Sequence, residues 1–303
     1  MRSFLYGLVA FVTALLVSVN PALACSICGC DPAASTLGLD RPSNGSLRLA
    51  VDDRYLSKES GTGEDAEKEQ ENRLVLRAQY SPFHSLVLQG ELPYYTFKKH
   101  FNADGLNDDN AQGIGDATVG ARFELYRSGI EARHVVSLVG TLKMPTGANS
   151  RILTGDDAPD EHLQLGTGSW DQLVGVSYTY GPRPWTLFAN VTGRINTANS
   201  RGFHYGDAVF ATAGARRTFL ESGKLIGSLE AQYRGAKYDQ FQDGSIDPDS
   251  GGHVLYATTS LAYALTSDLL MRAVVQVPAA TWLHGVQTEH PVVYAAVSYD
   301  FGM

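Results

Sequence analysis

The sequence predicts an all-β fold: a single transmembrane antiparallel β-barrel of about 12 strands, of the bacterial outer-membrane type. Three observations lead there. From residue 46 onward, apolar and polar residues alternate with a period of two in segments of about a dozen residues. Each segment can cross a hydrocarbon core when tilted, since about 9 to 11 residues suffice. Charges within the segments keep largely to one parity, which a water-filled interior allows and a lipid-facing wall does not. The connections between segments then alternate between short and long.

Composition excludes the competing classes. The chain has 303 residues, a net charge of -8, 18% charged residues, 31 glycines and 15 tyrosines, with a mean hydropathy of -0.14. Disorder, collagen and a disulfide-dense small domain do not fit these values. Only one apolar stretch, Phe4 to Val19, approaches spanning length, so a multi-helix membrane protein is excluded. An acidic balance without a basic patch argues against nucleic acid as a partner. A barrel buries alternate residues only, and its mean hydropathy therefore stays close to that of soluble proteins.

Residues 1–24 read as an export signal. Arg2 supplies the positive end, Phe4 to Val19 the apolar core, Asn20-Pro21 a helix break, and Ala22-Leu23-Ala24 the small-x-small cleavage site. The mature chain then begins at Cys25, with residues 25–45 a periplasmic N-terminal segment and residues 46–303 the barrel. All three cysteines fall in Cys25-Ser26-Ile27-Cys28-Gly29-Cys30. Thiolates this close form a candidate site for a soft ion, Cu(I) or Zn(II), or a pair can oxidise in the periplasm. Three sulfurs leave a tetrahedral site one ligand short, with Asp31 the nearest fourth, and the absence of CxxCH excludes covalent c-type haem. The other reading is a lipid anchor on Cys25 and a Cys28 to Cys30 disulfide. Ala22-Leu23-Ala24-Cys25 permits lipidation, although alanine stands where a branched aliphatic is commoner.

Twelve segments follow, at 46–57, 71–81, 84–97, 113–127, 132–145, 168–180, 184–196, 205–219, 224–237, 253–265, 268–278 and 290–301. Their faces are read from parity. Leu74, Leu76, Ala78 and Tyr80 alternate with Arg73, Val75, Arg77 and Gln79. Ala117, Val119, Ala121, Phe123 and Leu125 alternate with Asp116, Thr118, Gly120, Arg122 and Glu124. In the ninth, Gly227, Leu229, Ala231 and Tyr233 alternate with Ser228, Glu230, Gln232 and Arg234. The eighth segment resists, because Arg216 and Arg217 put a charge on both faces and one must snorkel to an interface.

Connections give the topology independently of hydropathy. Short ones (81–85, 127–131, 181–184, 221–224, 266–268) follow even segments, and long ones (58–70, 98–112, 146–166, 197–204, 238–252, 279–289) follow odd segments. Short periplasmic turns and long external loops place both ends of the barrel in the periplasm. The last segment carries Val293, Ala295, Val297, Tyr299 and Phe301 on one parity. That is similar to the aromatic-ended strand recognised by the barrel assembly machinery, although Gly302 and Met303 follow.

A family resemblance is carried by YSPFHSLVLQGELPYY (80–95), GIGDATVGARFELY (113–126), LKMPTG (142–147) and GTGSWDQLVGVSYTY (166–180). In wording and order these blocks resemble the outer-membrane transporter family of the meta-pathway of phenol degradation. The resemblance implies a porin-like channel rather than an enzyme, and it does not extend to the thiol cluster.

Catalytic motifs are lacking. The sequence contains no GxSxG, HExxH, Walker-type loop or GxGxxG before a helix. Gly113-Ile114-Gly115-Asp116 reads as a bend at a barrel rim. Adjacent acids Asp52 and Asp53 point to opposite faces of a strand, and Asp156 and Asp157 fall in a loop.

Selectivity is better sought in the lumen. Parity turns Arg48, Arg73, Arg77, Arg122, Lys143, Arg194, Arg234 and Arg272 inward, facing Glu91, Asp116, Glu124, Asp171, Glu230 and Asp300. Such a mixed ladder either sets a transverse field for a small solute or forms a salt-bridged plug in a narrow barrel. The three most acidic long loops, 58–71, 146–164 and 238–252, together hold 14 acids against three bases. His100, His162, His204, His253, His284 and His290 lie in or beside the long loops. They read as divalent-metal collectors or as a hydrated rim.

The functional expectation is an outer-membrane channel for a small-molecule solute, embedded in outer-membrane lipid. A metal-handling or redox module built on Cys25, Cys28 and Cys30 is the second reading, and a structural barrel without flux is the third.

Overall fold

The computed structural model describes residues 42–62, 66–102, 109–128, 134–152, 161, 163–181, 184–219 and 223–302. The expected signal segment and the Cys25, Cys28 and Cys30 cluster lie outside the described residues, as do Asp156, Asp157 and His162.

Alternation produces strands as expected. They are Leu47–Ser60 (β1), Glu67–Phe83 (β2), Leu86–Asn102 (β3), Asp109–Ile114 (β4), Thr118–Ser128 (β5), His134–Lys143 (β6), Asp171–Tyr180 (β7), Trp185–Ile195 (β8), Ala208–Phe219 (β9), Leu225–Ala236 (β10), Gly252–Ala264 (β11), Leu269–Leu283 (β12), Gln287–Glu289 (β13) and Val292–Phe301 (β14). Every ladder is antiparallel. β1 pairs β2 on one side and β14 on the other, so the sheet closes on itself. The pair β4 and β5 forms one barrel strand along β3, and β13 and β14 form another along β1, which gives a closed 12-stranded barrel. Closure leaves no sheet edge with unsatisfied amides, the condition for crossing lipid.

Boundaries differ where polarity misled the sequence reading. β2 starts at Glu67 and β3 runs to Asn102, beyond the expected 71 and 97. Polar residues such as Glu67, Lys68, Lys99 and His100 continue the ladder, with Glu67 opposite Asn102 and Ser60. The apolar–polar alternation fades there because residues of both parities are polar, while the backbone bonds and the alternation of burial persist. β12 likewise passes through Pro278 to Leu283, because a bulge opposite Leu255/Tyr256 absorbs the missing amide. The fourth expected strand is broken at 115–117. There Gly115 donates its N–H to Pro93 O, and a Cβ on it would come within 2.7 Å of the Tyr95 ring.

The wall is inside-out relative to a water-soluble sandwich. On β14, Val292, Tyr294, Ala296 and Ser298 are buried, while Val293, Val297, Tyr299 and Phe301 are exposed. On β2 the buried parity is Glu69, Glu71, Arg73, Arg77 and Gln79. A continuous exposed apolar surface of this kind is a lipid-contacting face. On β9, the eighth expected segment, Arg217 turns outward and lies over the Trp185 and Phe219 rings, each 5.2 Å from the centroid. One outward charge stands apart, because Asp53 sits between Val51 and Tyr55 on the lipid side.

Candidate functional site

Inward-facing charges assemble into separate clusters. Near the middle of β1 to β3, Arg77 is held between two carboxylates, with Nη1 2.6 Å from Asp52 Oδ2 and Nε 2.7 Å from Glu91 Oε1. The register explains this, since Arg77 lies opposite Glu91 on β3 and Ala50 on β1, one inward step from Asp52. Arg73, two inward steps along β2 from Arg77, lies 3.6 Å from Glu71, and Glu69 bridges Lys58 at 2.7 Å and Lys98 at 3.4 Å. Arg48 grips Asp300 across the β1–β14 seam through Nε to Oδ1 at 2.6 Å and Nη2 to Oδ2 at 2.7 Å. Two parallel bonds fix both planes and are stronger than a single neutral bond.

On the opposite wall, Glu230 accepts hydrogen bonds from Ser228 Oγ at 3.0 Å and Gln232 Nε2 at 2.9 Å, and Gln276 Nε2 donates to Gln232 Oε1 at 2.7 Å. Arg234 donates to Tyr256 Oη at 2.9 Å and pairs with Glu289, a partner parity had not marked. Arg194 lies 5.6 Å from the centroid of Phe210. Arg272 is buried between Ala262 and Ala296, and Arg122 lies opposite Val87 and Val139. Glu124 sits at the short-turn rim beside a bulge and binds Arg127, three residues on.

Three expected lumen residues, Asp116, Lys143 and Asp171, are drawn together into a loop anchor. Lys143, fully buried at the end of β6, pairs with Asp171 directly across the ladder and lies 3.4 Å from Asp116 Oδ2. Asp116 accepts from Gly147 N at 3.0 Å, Thr167 N at 2.8 Å and Thr167 Oγ1 at 2.7 Å. Asp171 accepts from Ser169 Oγ at 2.9 Å and Thr197 N at 3.2 Å. Gly147 and Gly166 must both lack Cβ atoms, because each would intrude within 2.7 Å of the other's backbone. The GIGD, PTG and GTGS blocks are therefore parts of one knot, in which small residues allow the crossing and hydroxyls satisfy the charges. Sequence parity missed Thr146, Thr167 and Ser169, although their clustering with glycine in PTG and GTGS was the available signal.

Above the knot the long loops are tied to one another. Arg201 holds Glu161 through Nε at 2.6 Å, and the Glu161 hydrogen bond pushes the guanidinium up from its ordinary value. Asn199 Nδ2 donates to Glu161 Oε2 at 2.8 Å, and Tyr205 Oη to Glu161 O at 2.7 Å. Asp207 accepts from Asn196 N at 3.1 Å and Lys237 Nζ at 3.0 Å, Asp239 accepts from Gly206 N at 2.6 Å, and Asp249 accepts from Val286 N at 2.7 Å. These loop acids are spent on backbone amides, which is why so much negative charge coexists in one region. Several loop histidines serve the same framework: His204 bonds Asn196 O at 3.0 Å, and His284 stacks on Tyr238 at 3.9 Å and bonds Ser250 O at 3.0 Å. Among the described residues, no group of three or more His, Cys, Asp or Glu is placed to hold a metal ion.

The fold is shared with solved outer-membrane barrels. It is similar to the COG4313 outer membrane channel from Pseudomonas putida F1, with a TM-score of 0.70 and 14% identity over 90% of this chain and all of that one. The translocator domain of autotransporter NalP from Neisseria meningitidis matches with a TM-score of 0.54 and 11% identity, over 88% of this chain and 92% of that one. The NanC porin follows at 0.50 and 7% identity, over 83% of this chain and 98% of that one. A search of curated proteins returns no match. The family described as Putative MetA-pathway of phenol degradation matches residues 74–288, more than two thirds of the chain and the whole of all four sequence blocks, and the chain belongs to that family.

Proposed function

We propose that this porin-like outer-membrane barrel is a passive channel for a small solute, doing no chemistry on its cargo. The carrying observation is Arg77, buried on the inner wall and held by Asp52 and Glu91 on its two neighbouring strands. Charges fixed in a closed wall, away from lipid, create a transverse field that a solute must pass, which is how a pore sorts by polarity. The long loops face outward from the cell and both ends of the barrel lie in the periplasm, in keeping with short turns at one end and tied loops at the other.

Stepwise KCl conductance of the purified protein in planar bilayers tests the reading. Discrete steps are expected, and a protein that assembles yet never conducts would establish a structural barrel. Replacing Arg73 and Arg77 with Gln removes two fixed cations and should move permeability toward cations. Unchanged selectivity would take both residues out of the filter while leaving the channel intact.

A further inference from the structure

Arg272 on β12 is more than nine-tenths buried, and its Nε and Nη2 donate to no acceptor. Those two groups form the side-on edge of the guanidinium, the same edge with which Arg48 holds Asp300. The nearby carboxylates are engaged elsewhere: Asp52 gives Oδ2 to Arg77, and Glu230 accepts from Ser228 and Gln232. Asp52 Oδ1, meanwhile, is buried and accepts nothing. Register places the two residues side by side. Asp52 and Arg272 both lie opposite Ala296, on either side of β14. Their backbones are therefore about 10 Å apart, two strand spacings. The inward side chains flanking the gap, Ala50, Ala262 and Ala296, are buried and end at a methyl group, so none of them offers a polar partner to either residue.

A buried donor fork and a buried acceptor call for a partner that supplies the complement of each. A carboxylate fits the fork in two parallel bonds. An adjacent O–H or N–H fits the aspartate oxygen. We propose that Arg272 and Asp52 form a binding station in the lumen for small hydroxy- or amino-carboxylates. The solute's carboxylate sits on the Nε/Nη2 edge of Arg272, and its neighbouring hydroxyl or ammonium donates to Asp52 Oδ1. This inference rests on the channel reading and names the solute class for it.

Lactate, propionate and 1,2-propanediol are the probes, because they carry both groups, the carboxylate alone and the hydroxyls alone. Full-length protein in planar bilayers should show KCl current blocked by lactate at about tenfold lower concentration than by propionate, the worth of one hydrogen bond to a charged group. Propanediol should not block. Arg272→Gln should abolish the lactate block, and Arg272→Lys, which keeps the charge and loses the fork, should weaken the block by lactate and by propionate alike. Calorimetry of the detergent-solubilised protein supplies a readout independent of flux. Conducting protein that treats lactate and propionate alike, or an Arg272→Gln protein that lactate blocks as before, overturns the station while the channel stands. Lactate binding lost in Arg272→Gln by a protein that never conducts upholds the site and overturns the channel.

Discussion

Asp52 and Asp53 are neighbours in sequence and face opposite media. Asp52 is buried in the interior with its Oδ2 2.6 Å from Arg77 Nη1, whereas Asp53 is turned outward and accepts from Asn72 Nδ2 at 2.6 Å. Asn72 Oδ1 in turn accepts from Thr96 Oγ1, the residue bulged out of the β2–β3 register, so a small polar patch shelters the outward charge. The pleat imposes the division, since successive side chains on a strand point to opposite faces.

That division predicts opposite responses to the same substitution. Asp52→Asn should lower the temperature at which the barrel unfolds in detergent, because it removes a charge from a buried ion pair. Asp53→Asn should leave that temperature unchanged or raise it, because an outward carboxylate costs energy against lipid. Heat-modified migration on gels measures both, and equal losses would contradict the assignment of faces.

Lys143→Met tests the loop anchor. Removing the ammonium leaves Asp116 and Asp171 as uncompensated buried carboxylates, a change expected to cost about 3 to 5 kcal/mol. Adding Asp171→Asn should recover part of the loss. No recovery in the double variant would show that the two residues do not act as a pair.

Charge on the lipid face should impair assembly. Val119 and Leu229 are both outward and exposed. Arg at either position is expected to cost about 2 to 4 kcal/mol near the bilayer midplane. The folded fraction recovered in vesicles is the measurement, with Thr212→Arg on the inner wall as the comparison.

Orientation is accessible to protease. A cleavage site inserted at Gly244, in the β10–β11 loop, should be cut on intact cells, and one at Gly223, in the β9–β10 turn, should be protected. Reversed cleavage would invert the barrel.

The β8–β9 loop should loosen in acid. Burial raises the Asp207 carboxyl, but hydrogen bonds from Lys237 and the Asn196 amide outweigh it, and the net shift is below its ordinary value of 3.8. A carboxylate lowered by folding contributes stability above its unfolded value, and that contribution is lost as pH falls through the folded one. Protection of the Asn196 amide against exchange should therefore decline below about pH 4, near the ordinary aspartate range. Asp207→Asn should flatten that dependence.

Periodicity alone determined the barrel, its strand number and the two faces, because a side-chain period of two is local and needs no knowledge of distant neighbours. Parity likewise turned Arg77, Glu91, Arg48 and Asp300 inward, and it put Arg216 and Arg217 on opposite faces of one strand. Tertiary structure decided the partners. Lys143 meets Asp171 across 28 residues of chain, and Arg234 meets Glu289 across 55, pairings set by register and closure rather than by any local signal. The acidic loop 238–252 reads from sequence as a hydrated rim, yet Asp239 and Asp249 accept hydrogen bonds from the Gly206 and Val286 backbone amides. Which charge is satisfied and which remains open, as at Arg272, depends on the three-dimensional neighbours of each polar atom, and only the folded barrel supplies them.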